Sequence, residues 1–252
     1  MCVCVKKQAT IFMNVRRTNG ATLLVPRKMR QRVPLVLNVP GGGYVSHNLF
    51  PSVNKAIQDR VGGDVVTVLY DLPHQGDVDA TRSVRGVRSA LRWAVREHPG
   101  RVVFLFGVSA GAHACATVVN DPKYAAICDA QLLVVPAMVP GDVTSNGCTT
   151  GWKWSKTVTS PLPGMPSTMY PTLGVTSTVP RTAIVYSESD PYVSTKGVMA
   201  YVKQLKTFQV PVVTVPLKNA PHSAAILEMC LTDRQWDVIL ALLMRPSEEV
   251  SL

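Results

Sequence analysis

The hydrophobic positions of this chain form short apolar runs, separated by segments in which apolar residues recur with helical spacing. Two short runs at residues 11–15 and 21–25 flank Asn19 and Gly20, a dipeptide that is typical of a hairpin turn. These two runs therefore predict a pair of antiparallel strands. Longer apolar runs predict buried strands at residues 33–39, 64–72, 102–106, 130–135, 181–186 and 212–217.

The segments between these strands predict helices. Apolar residues with helical spacing indicate helices at about residues 49–60 and 79–97, a third after Gly111, and two more in the C-terminal part of the chain. This alternation predicts one α/β domain over residues 1–252, with a mostly parallel central sheet and helices on both faces. At 252 residues and 46% hydrophobic, the chain is long enough to bury such a core.

The alternation breaks at residues 137–180. This segment contains six prolines, five glycines and only three charged residues, which indicates an irregular insertion over one edge of the sheet. A disordered linker is the alternative. Because linkers seldom carry large apolar groups such as Trp152, Trp154 and Met165, we predict a packed cap or lid.

The strand at residues 102–106 leads into Gly107-Val108-Ser109-Ala110-Gly111, followed by a segment of small residues. Strand, G-x-S-x-G and helix together are the pattern of a nucleophile elbow, a strained turn that exposes the serine and needs small residues on either side. A membrane span is the rival interpretation of residues 102–119. We reject it, because these 18 residues contain two glycines, Ser109 and His113, whereas a span needs about 20 continuous apolar residues.

A serine hydroxyl attacks a carbonyl efficiently when a histidine takes its proton and a carboxylate orients that histidine. Asp190 and His222 follow two later strands, at the edge of a parallel sheet where ligands gather. They also complete the order Ser, Asp, His that this elbow keeps. Asp142 and Glu188 are the reserve candidates for the acid. The two other acids between Ser109 and His222, Asp121 and Asp129, fall at the wrong end of the sheet.

His113 is the other candidate for the base, because it lies one turn into the helix after Ser109. That helix runs away from the site and packs on the sheet, so we interpret His113 as a packing or hydrogen-bonding residue and favour His222. His47 and His74 are candidates for the pocket wall, with surface positions as the alternative.

A glycine run, Pro40-Gly41-Gly42-Gly43-Tyr44, follows the strand at residues 33–39. Acyl transfer builds negative charge on a carbonyl oxygen, which backbone N–H groups stabilise. We predict that Gly42, Gly43 and Ala110 supply this oxyanion hole and that Tyr44 lines the pocket. A phosphate-binding loop is excluded by spacing, because no G-x-G-x-x-G and no Lys-Ser/Thr pair is present.

These motifs resemble the α/β-hydrolase fold, and within it the hormone-sensitive lipase-like carboxylesterases and the kynurenine formamidases. The glycine run is similar to the family's His-Gly-Gly loop, with Pro40 in place of the histidine. Tyr70-Asp71-Leu72-Pro73 resembles the formamidases' Tyr-Asp-Leu-Ala-Pro, and residues 107–113 resemble their Gly-His-Ser-Ala-Gly-Ala-His, with Val108 in place of the first histidine. The resemblance implies a serine hydrolase without metal or cofactor, acting on a small carboxylic ester or an aryl formamide.

The formal net charge of +10 is the unusual feature of the composition. Part of it comes from a row of arginines on the helix predicted at residues 79–97: Arg82, Arg85, Arg88, Arg92 and Arg96. A solvated helix face is the simpler interpretation, and a catalytically weak hydrolase that binds an anionic partner through this face is the alternative. No nucleic-acid recognition motif accompanies the charge.

The location of the protein is predicted from its first residues and its cysteines. Residues 1–8 do not resemble a signal peptide, and the spacing of the six cysteines gives neither a C-x-x-C pair nor a dense disulfide framework, which fits a reducing compartment. We therefore expect a cytoplasmic protein with no transmembrane segment. The sequence leaves the oligomeric state open.

Overall fold

The computed structural model describes residues 13–44, 46–72, 80–138 and 170–245. Within these residues, one eight-stranded sheet has the strand order β1-β2-β4-β3-β5-β6-β7-β8. Its strands are β1 (Met13–Thr18), β2 (Ala21–Pro26), β3 (Leu35–Val39), β4 (Asp64–Tyr70), β5 (Val103–Val108), β6 (Ala130–Val134), β7 (Arg181–Ser187) and β8 (Val212–Leu217).

The first two strands form the predicted hairpin. β1 and β2 pair in antiparallel fashion around Asn19 and Gly20, and Gly20 has the positive φ of 87° that such a turn requires. β2 is also antiparallel to β4, whereas every pairing from β4 to β8 is parallel. The prediction of a mostly parallel sheet is confirmed.

Helices cover both faces of this sheet, as the sequence predicts. They are α1 (Pro51–Val61), α2 (Thr81–Glu97), α3 (Ala110–Val119), α4 (Pro122–Ala125), α5 (Thr195–Thr207), α6 (Ile226–Met229) and α7 (Asp233–Leu243). One buried cluster joins the sheet to α2, α3 and α5, and a second joins the opposite face to α1, α6 and α7. None of the helices in the described ranges is long and apolar enough to cross a membrane.

The segment predicted as a cap is described only in part. Residues 139–169, which include Asp142, lie outside the described residues. The remainder includes a short 3-10 turn at Pro171–Leu173, and its Pro171 carbonyl accepts a hydrogen bond of 2.8 Å from Asn120 Nδ2. The cap therefore stays a prediction.

The arginines of α2 make contacts within the chain. The Arg88 and Arg92 guanidinium groups lie 5.1 and 5.6 Å from the centre of the Tyr124 ring, and Arg92 also donates to the Tyr124 hydroxyl at 2.6 Å. Arg88 pairs with Asp121 at 3.7 Å. Such contacts agree with a solvated helix face, and the alternative of an anionic partner stays a prediction.

The amino end of the parallel strands is held by a buried carboxylate. Asp64 is 3% exposed and accepts hydrogen bonds from the Arg30 backbone N–H, the Arg30 side chain and the Arg101 guanidinium, at 2.9 to 3.0 Å. Arg101 also donates to the carbonyls of residues 33 and 34. This network fixes the edge of the sheet that lies opposite the candidate site.

Replacing Asp64 with asparagine is expected to lower the free energy of unfolding by about 2 kcal/mol, because charge-assisted bonds weaken and the new amide N–H group faces other donors. The matched control is Asp59→Asn, since Asp59 is 57% exposed in an i,i+4 pair with Lys55. Its expected cost is about 0.5 kcal/mol or less. Urea unfolding of both variants measures the difference, and equal losses would contradict the assigned role of Asp64.

Candidate active site

Ser109 lies at a sharp turn between β5 and α3. Its φ of 51° and ψ of −116° are strained for a residue with a side chain. The glycines on either side are required by contact: a Cβ on Gly107 would lie 2.6 Å from Ala112 Cα, and one on Gly111 would lie 2.1 Å from the Val39 carbonyl oxygen. The chain can therefore turn this tightly only with these glycines, and the turn presents Ser109 at the carboxyl edge of the sheet.

Three candidate side chains meet at this edge. His222 Nε2 lies 2.9 Å from Ser109 Oγ, and His222 Nδ1 lies 2.7 Å from Asp190 Oδ2. The Asp190 side chain is 3% exposed and that of His222 is 15% exposed. The imidazole thus has one nitrogen at the serine hydroxyl and the other at a shielded carboxylate, which is the arrangement that proton transfer from serine requires.

The loop after β7 orients the carboxylate of Asp190. Asp190 Oδ1 accepts hydrogen bonds from the backbone N–H groups of Tyr192 and Val193, at 2.8 and 2.9 Å. The Tyr192 ring also packs edge-on against His222, with ring centres 5.2 Å apart. The sequence reasoning missed Tyr192, although its position two residues after the candidate acid, in the same loop, is the signal that could have revealed it.

The glycine run bends back over Ser109. Gly42 and Gly43 have positive φ angles of 130° and 61°, and a Cβ on Gly42 would lie 2.2 Å from the Ser46 carbonyl oxygen. Hydrogen bonds from Ser46 N to Gly42 O and from Asn48 N to Gly41 O close the loop. Within the described residues, the N–H groups of Gly42, Gly43 and Ala110 donate no hydrogen bond to the protein.

A cavity of about 360 Å³ opens beside Ser109. Its described wall combines the glycine loop and the Ser109–His222 pair with small or apolar side chains and a few neutral polar ones. The described residues that line it are Gly41, Gly42, Gly43, Ser46, Asn48, Phe50, Val108, Ser109, Ala110, Ala137, Tyr192, Val193, His222, Ser223 and Ala224.

No protein-family model and no curated protein matches the chain. Several solved structures are similar to it. A sugar hydrolase from Lactococcus lactis is 18% identical with a TM-score of 0.75, covering 92% of this chain and 97% of its own. The carboxylesterase Cest-2923 from Lactobacillus plantarum WCFS1 is 16% identical with a TM-score of 0.69, covering 92% and 99%. MGS-M1, an alpha/beta hydrolase enzyme from a deep-sea metagenome, is 17% identical with a TM-score of 0.65, covering 91% and 95%. The chain has the α/β-hydrolase fold.

Within this α/β-hydrolase fold, the other candidate acids lie apart from Ser109. Asp121 caps α4 by accepting from Lys123 N, and Asp129 accepts from Val103 N at the opposite end of the sheet. Glu188 is exposed in the turn after β7. The structure therefore brings Asp190 to His222, whereas Asp142 lies outside the described residues. No group of three or more metal-binding side chains occurs in the described ranges.

Two of the three residues predicted for the pocket wall have other positions in the α/β-hydrolase fold, and His74 lies outside the described residues. Tyr44 is 1% exposed, and its hydroxyl lies 2.6 Å from His113 Nδ1. His47 donates from Nε2 to the Tyr70 carbonyl at 2.9 Å and packs edge-on against the Tyr70 ring. Neither residue is part of the described cavity wall. Burial lowers the pKa of His47.

His113 is a buried hydrogen-bonding residue, as the sequence reasoning expected, and is 1% exposed. It lies one turn along α3, where its backbone N–H donates to the Ser109 carbonyl at 3.0 Å. Its side chain faces Tyr44 on the inner side of the glycine loop. The histidine that contacts the Ser109 hydroxyl is His222.

Proposed function

We propose that this protein is a serine hydrolase that cleaves small carboxylic esters through an acyl-enzyme on Ser109. The observation that carries the proposal is the pair of hydrogen bonds that joins Ser109 Oγ to His222 Nε2 and His222 Nδ1 to Asp190 Oδ2. A strained turn presents the serine beside a cavity, near backbone N–H groups that donate to no other residue in the described ranges. These features together supply a nucleophile, a base, an orienting acid and an oxyanion site.

The first half of the reaction forms the acyl-enzyme. Ser109 Oγ attacks the substrate carbonyl carbon while its proton passes to His222 Nε2, and Asp190 stabilises the resulting imidazolium. The N–H groups of Gly42, Gly43 and Ala110 donate to the oxygen that becomes negative. When this intermediate collapses, the bond to the leaving alcohol breaks and His222 gives the alcohol its proton.

The second half releases the acid. A water molecule takes the place of the alcohol, His222 accepts one of its protons, and the resulting hydroxide attacks the acyl carbon. The same N–H groups stabilise the second oxyanion. Collapse then breaks the bond to Ser109 Oγ, which recovers its proton from His222. One ester and one water thus give one alcohol and one carboxylic acid.

Two lines of support favour esters as the substrate class. Several structural neighbours are described as esterases or carboxylesterases, including one from Pyrobaculum calidifontis. The described cavity wall also consists largely of small, apolar and neutral polar side chains. An aryl formamide is the second candidate, because residues 107–113 and 70–73 resemble formamidase motifs.

Labelling with a fluorophosphonate probe tests the serine mechanism, because this probe reacts with an activated serine. We expect one adduct on Ser109, located by peptide mass spectrometry. Heat-denatured protein and the Ser109→Ala variant are the controls, and both are expected to remain unlabelled. A folded protein that gives no adduct on Ser109 would refute the proposal.

Parallel assays with p-nitrophenyl acetate, p-nitrophenyl butyrate and N-formylkynurenine separate the two substrate classes. We expect a higher kcat/KM for the esters, with short acyl groups preferred in a cavity of about 360 Å³. A higher kcat/KM for the formamide would favour the second candidate, with the chemistry at Ser109 unchanged.

A further inference from the structure

A buried tyrosine forms a hydrogen bond with the first residue of the glycine loop, which comprises residues 40–44. Pro40 stands at the first position of this loop, and its carbonyl accepts a hydrogen bond of 2.9 Å from the Tyr70 hydroxyl. Tyr70 is 1% exposed and lies at the end of β4, next to β3 in the sheet. Because proline has no side-chain donor, the loop is anchored here through its backbone oxygen.

A second tyrosine anchors the other end of the loop. Tyr44 follows Gly43 with a positive φ of 63°, an uncommon conformation for a residue with a side chain. This conformation accompanies a Tyr44 side chain that is buried, with ring centres 5.9 Å from Tyr70 and 5.8 Å from His113 in edge-on contacts. The 2.6 Å contact between the Tyr44 hydroxyl and His113 Nδ1 completes the arrangement.

His113 connects this arrangement to the nucleophile. It belongs to α3, and its backbone N–H donates to the Ser109 carbonyl at 3.0 Å. A continuous set of contacts therefore runs from the glycine loop through Tyr44 and His113 to the residue that bears the attacking hydroxyl. Both ends of the loop, at Pro40 and Tyr44, are fixed by buried hydroxyl groups.

We propose that Tyr44, Tyr70 and His113 are positioning residues that set the distance between the N–H groups of Gly42 and Gly43 and the oxyanion formed on Ser109. This proposal rests on the proposed hydrolase function. It assigns no new step to these residues, because none of them touches the reacting atoms. Burial raises the pKa values of both tyrosines, so their hydroxyls remain protonated at neutral pH and form hydrogen bonds as neutral groups.

The expected effect falls on the transition state. An oxyanion donor is effective only within about 2.7–3.1 Å of the developing charge, and removing one such donor costs about 10²- to 10³-fold in kcat. Loosening the loop displaces donors without removing them, so we expect a loss of about 10- to 100-fold for either Tyr44→Phe or Tyr70→Phe. KM is expected to change by less than about twofold, because ground-state contacts remain.

The matched control is Tyr201→Phe. Tyr201 is also fully buried, in the same hydrophobic cluster, and its hydroxyl contacts Gln131 Nε2 at 3.4 Å. The three Tyr→Phe variants therefore remove the same group from similar surroundings, and all three are expected to lower the melting temperature. Only Tyr44→Phe and Tyr70→Phe are expected to lower kcat.

A second measurement reports directly on the oxyanion site. A small alkyl boronic acid forms a tetrahedral anionic adduct on Ser109 Oγ, and its inhibition constant should rise in Tyr44→Phe and Tyr70→Phe by the same factor as kcat falls. His113→Asn places an amide near the position of Nδ1 and should retain most of kcat, whereas His113→Leu should not. If asparagine retains kcat and leucine does not, the effect of His113 comes from its hydrogen bond and not from the volume of its side chain.

The outcomes are distinct. If the wild-type protein hydrolyses esters while Tyr44→Phe and Tyr70→Phe match Tyr201→Phe in kcat and in boronate inhibition, the positioning role is overturned and the hydrolase function stands. If the wild-type protein neither reacts with the fluorophosphonate nor turns over esters, the hydrolase function fails and the positioning role falls with it.

Discussion

Replacing Ser109 with alanine is expected to lower kcat for ester hydrolysis by about 10⁴- to 10⁶-fold, because the acyl-enzyme can no longer form. We expect a residual rate from the proposed oxyanion donors of the glycine loop, which would still stabilise the oxyanion when water attacks directly. The change deletes one oxygen at the cavity and keeps the turn, so the melting temperature should change little. Steady-state kinetics with p-nitrophenyl acetate measures the loss.

His222→Ala alone and combined with Ser109→Ala tests whether the two residues act as one unit. We expect each single variant to lose about as much as the double variant, because a nucleophile without its base and a base without its nucleophile are equally ineffective. Additive losses would contradict the proposed mechanism.

Comparing Asp190→Asn with Glu188→Gln tests which of the two acids orients His222. Asp190 contacts His222, whereas Glu188 is exposed in the same turn. We expect a kcat loss of about 10⁴-fold from Asp190→Asn, because the amide would hold the imidazole in the wrong tautomer. Glu188→Gln should be close to wild type, and a large loss there would reassign the acid.

Much of the fold could be predicted from the sequence because its local signals agree. The apolar runs of β3 to β7 are almost fully buried, as parallel strands covered by helices on both faces are, and Asn19-Gly20 specifies the hairpin of β1 and β2. The bounds shift by a few residues. The first helix begins at Pro51, because proline is well suited to the first turn of a helix, and β4 ends at Tyr70, two residues before the predicted end.

The direction of individual side chains was harder to predict. Tyr44 follows a glycine run, and its neighbours line the cavity, but its positive φ accompanies a ring buried against Tyr70 and His113. Local pattern carries no information on such a φ at a non-glycine residue. The role of Tyr192 depends on the fold of the loop after β7, which brings the ring to a histidine 30 residues away in the sequence.

Replacing Gly111 with alanine is the second change with a large expected effect, on stability as well as on activity. Gly111 is the second residue of α3, where alanine would ordinarily favour the helix by about 1 kcal/mol. Here a Cβ would lie 2.1 Å from the Val39 carbonyl oxygen and 2.6 Å from that of Pro40. Both are backbone atoms held in or next to β3, so neither can rotate away and α3 must shift instead.

We therefore expect Gly111→Ala to lower the free energy of unfolding by about 3 kcal/mol, as overpacking does in a well-packed core. The control is Gly62→Ala: its φ is 69° and no atom lies within 4 Å of the added Cβ. That variant should lose about 1–2 kcal/mol from backbone strain alone and keep its kcat. Urea unfolding and ester kinetics measure both quantities.

Because Pro40 is also the residue that Tyr70 anchors, a shift of α3 would disturb the glycine loop. The value of kcat should therefore fall together with stability only in Gly111→Ala. A Gly111→Ala variant as stable and active as the wild type would show that close contact between α3 and β3 is not what holds Ser109 in its turn.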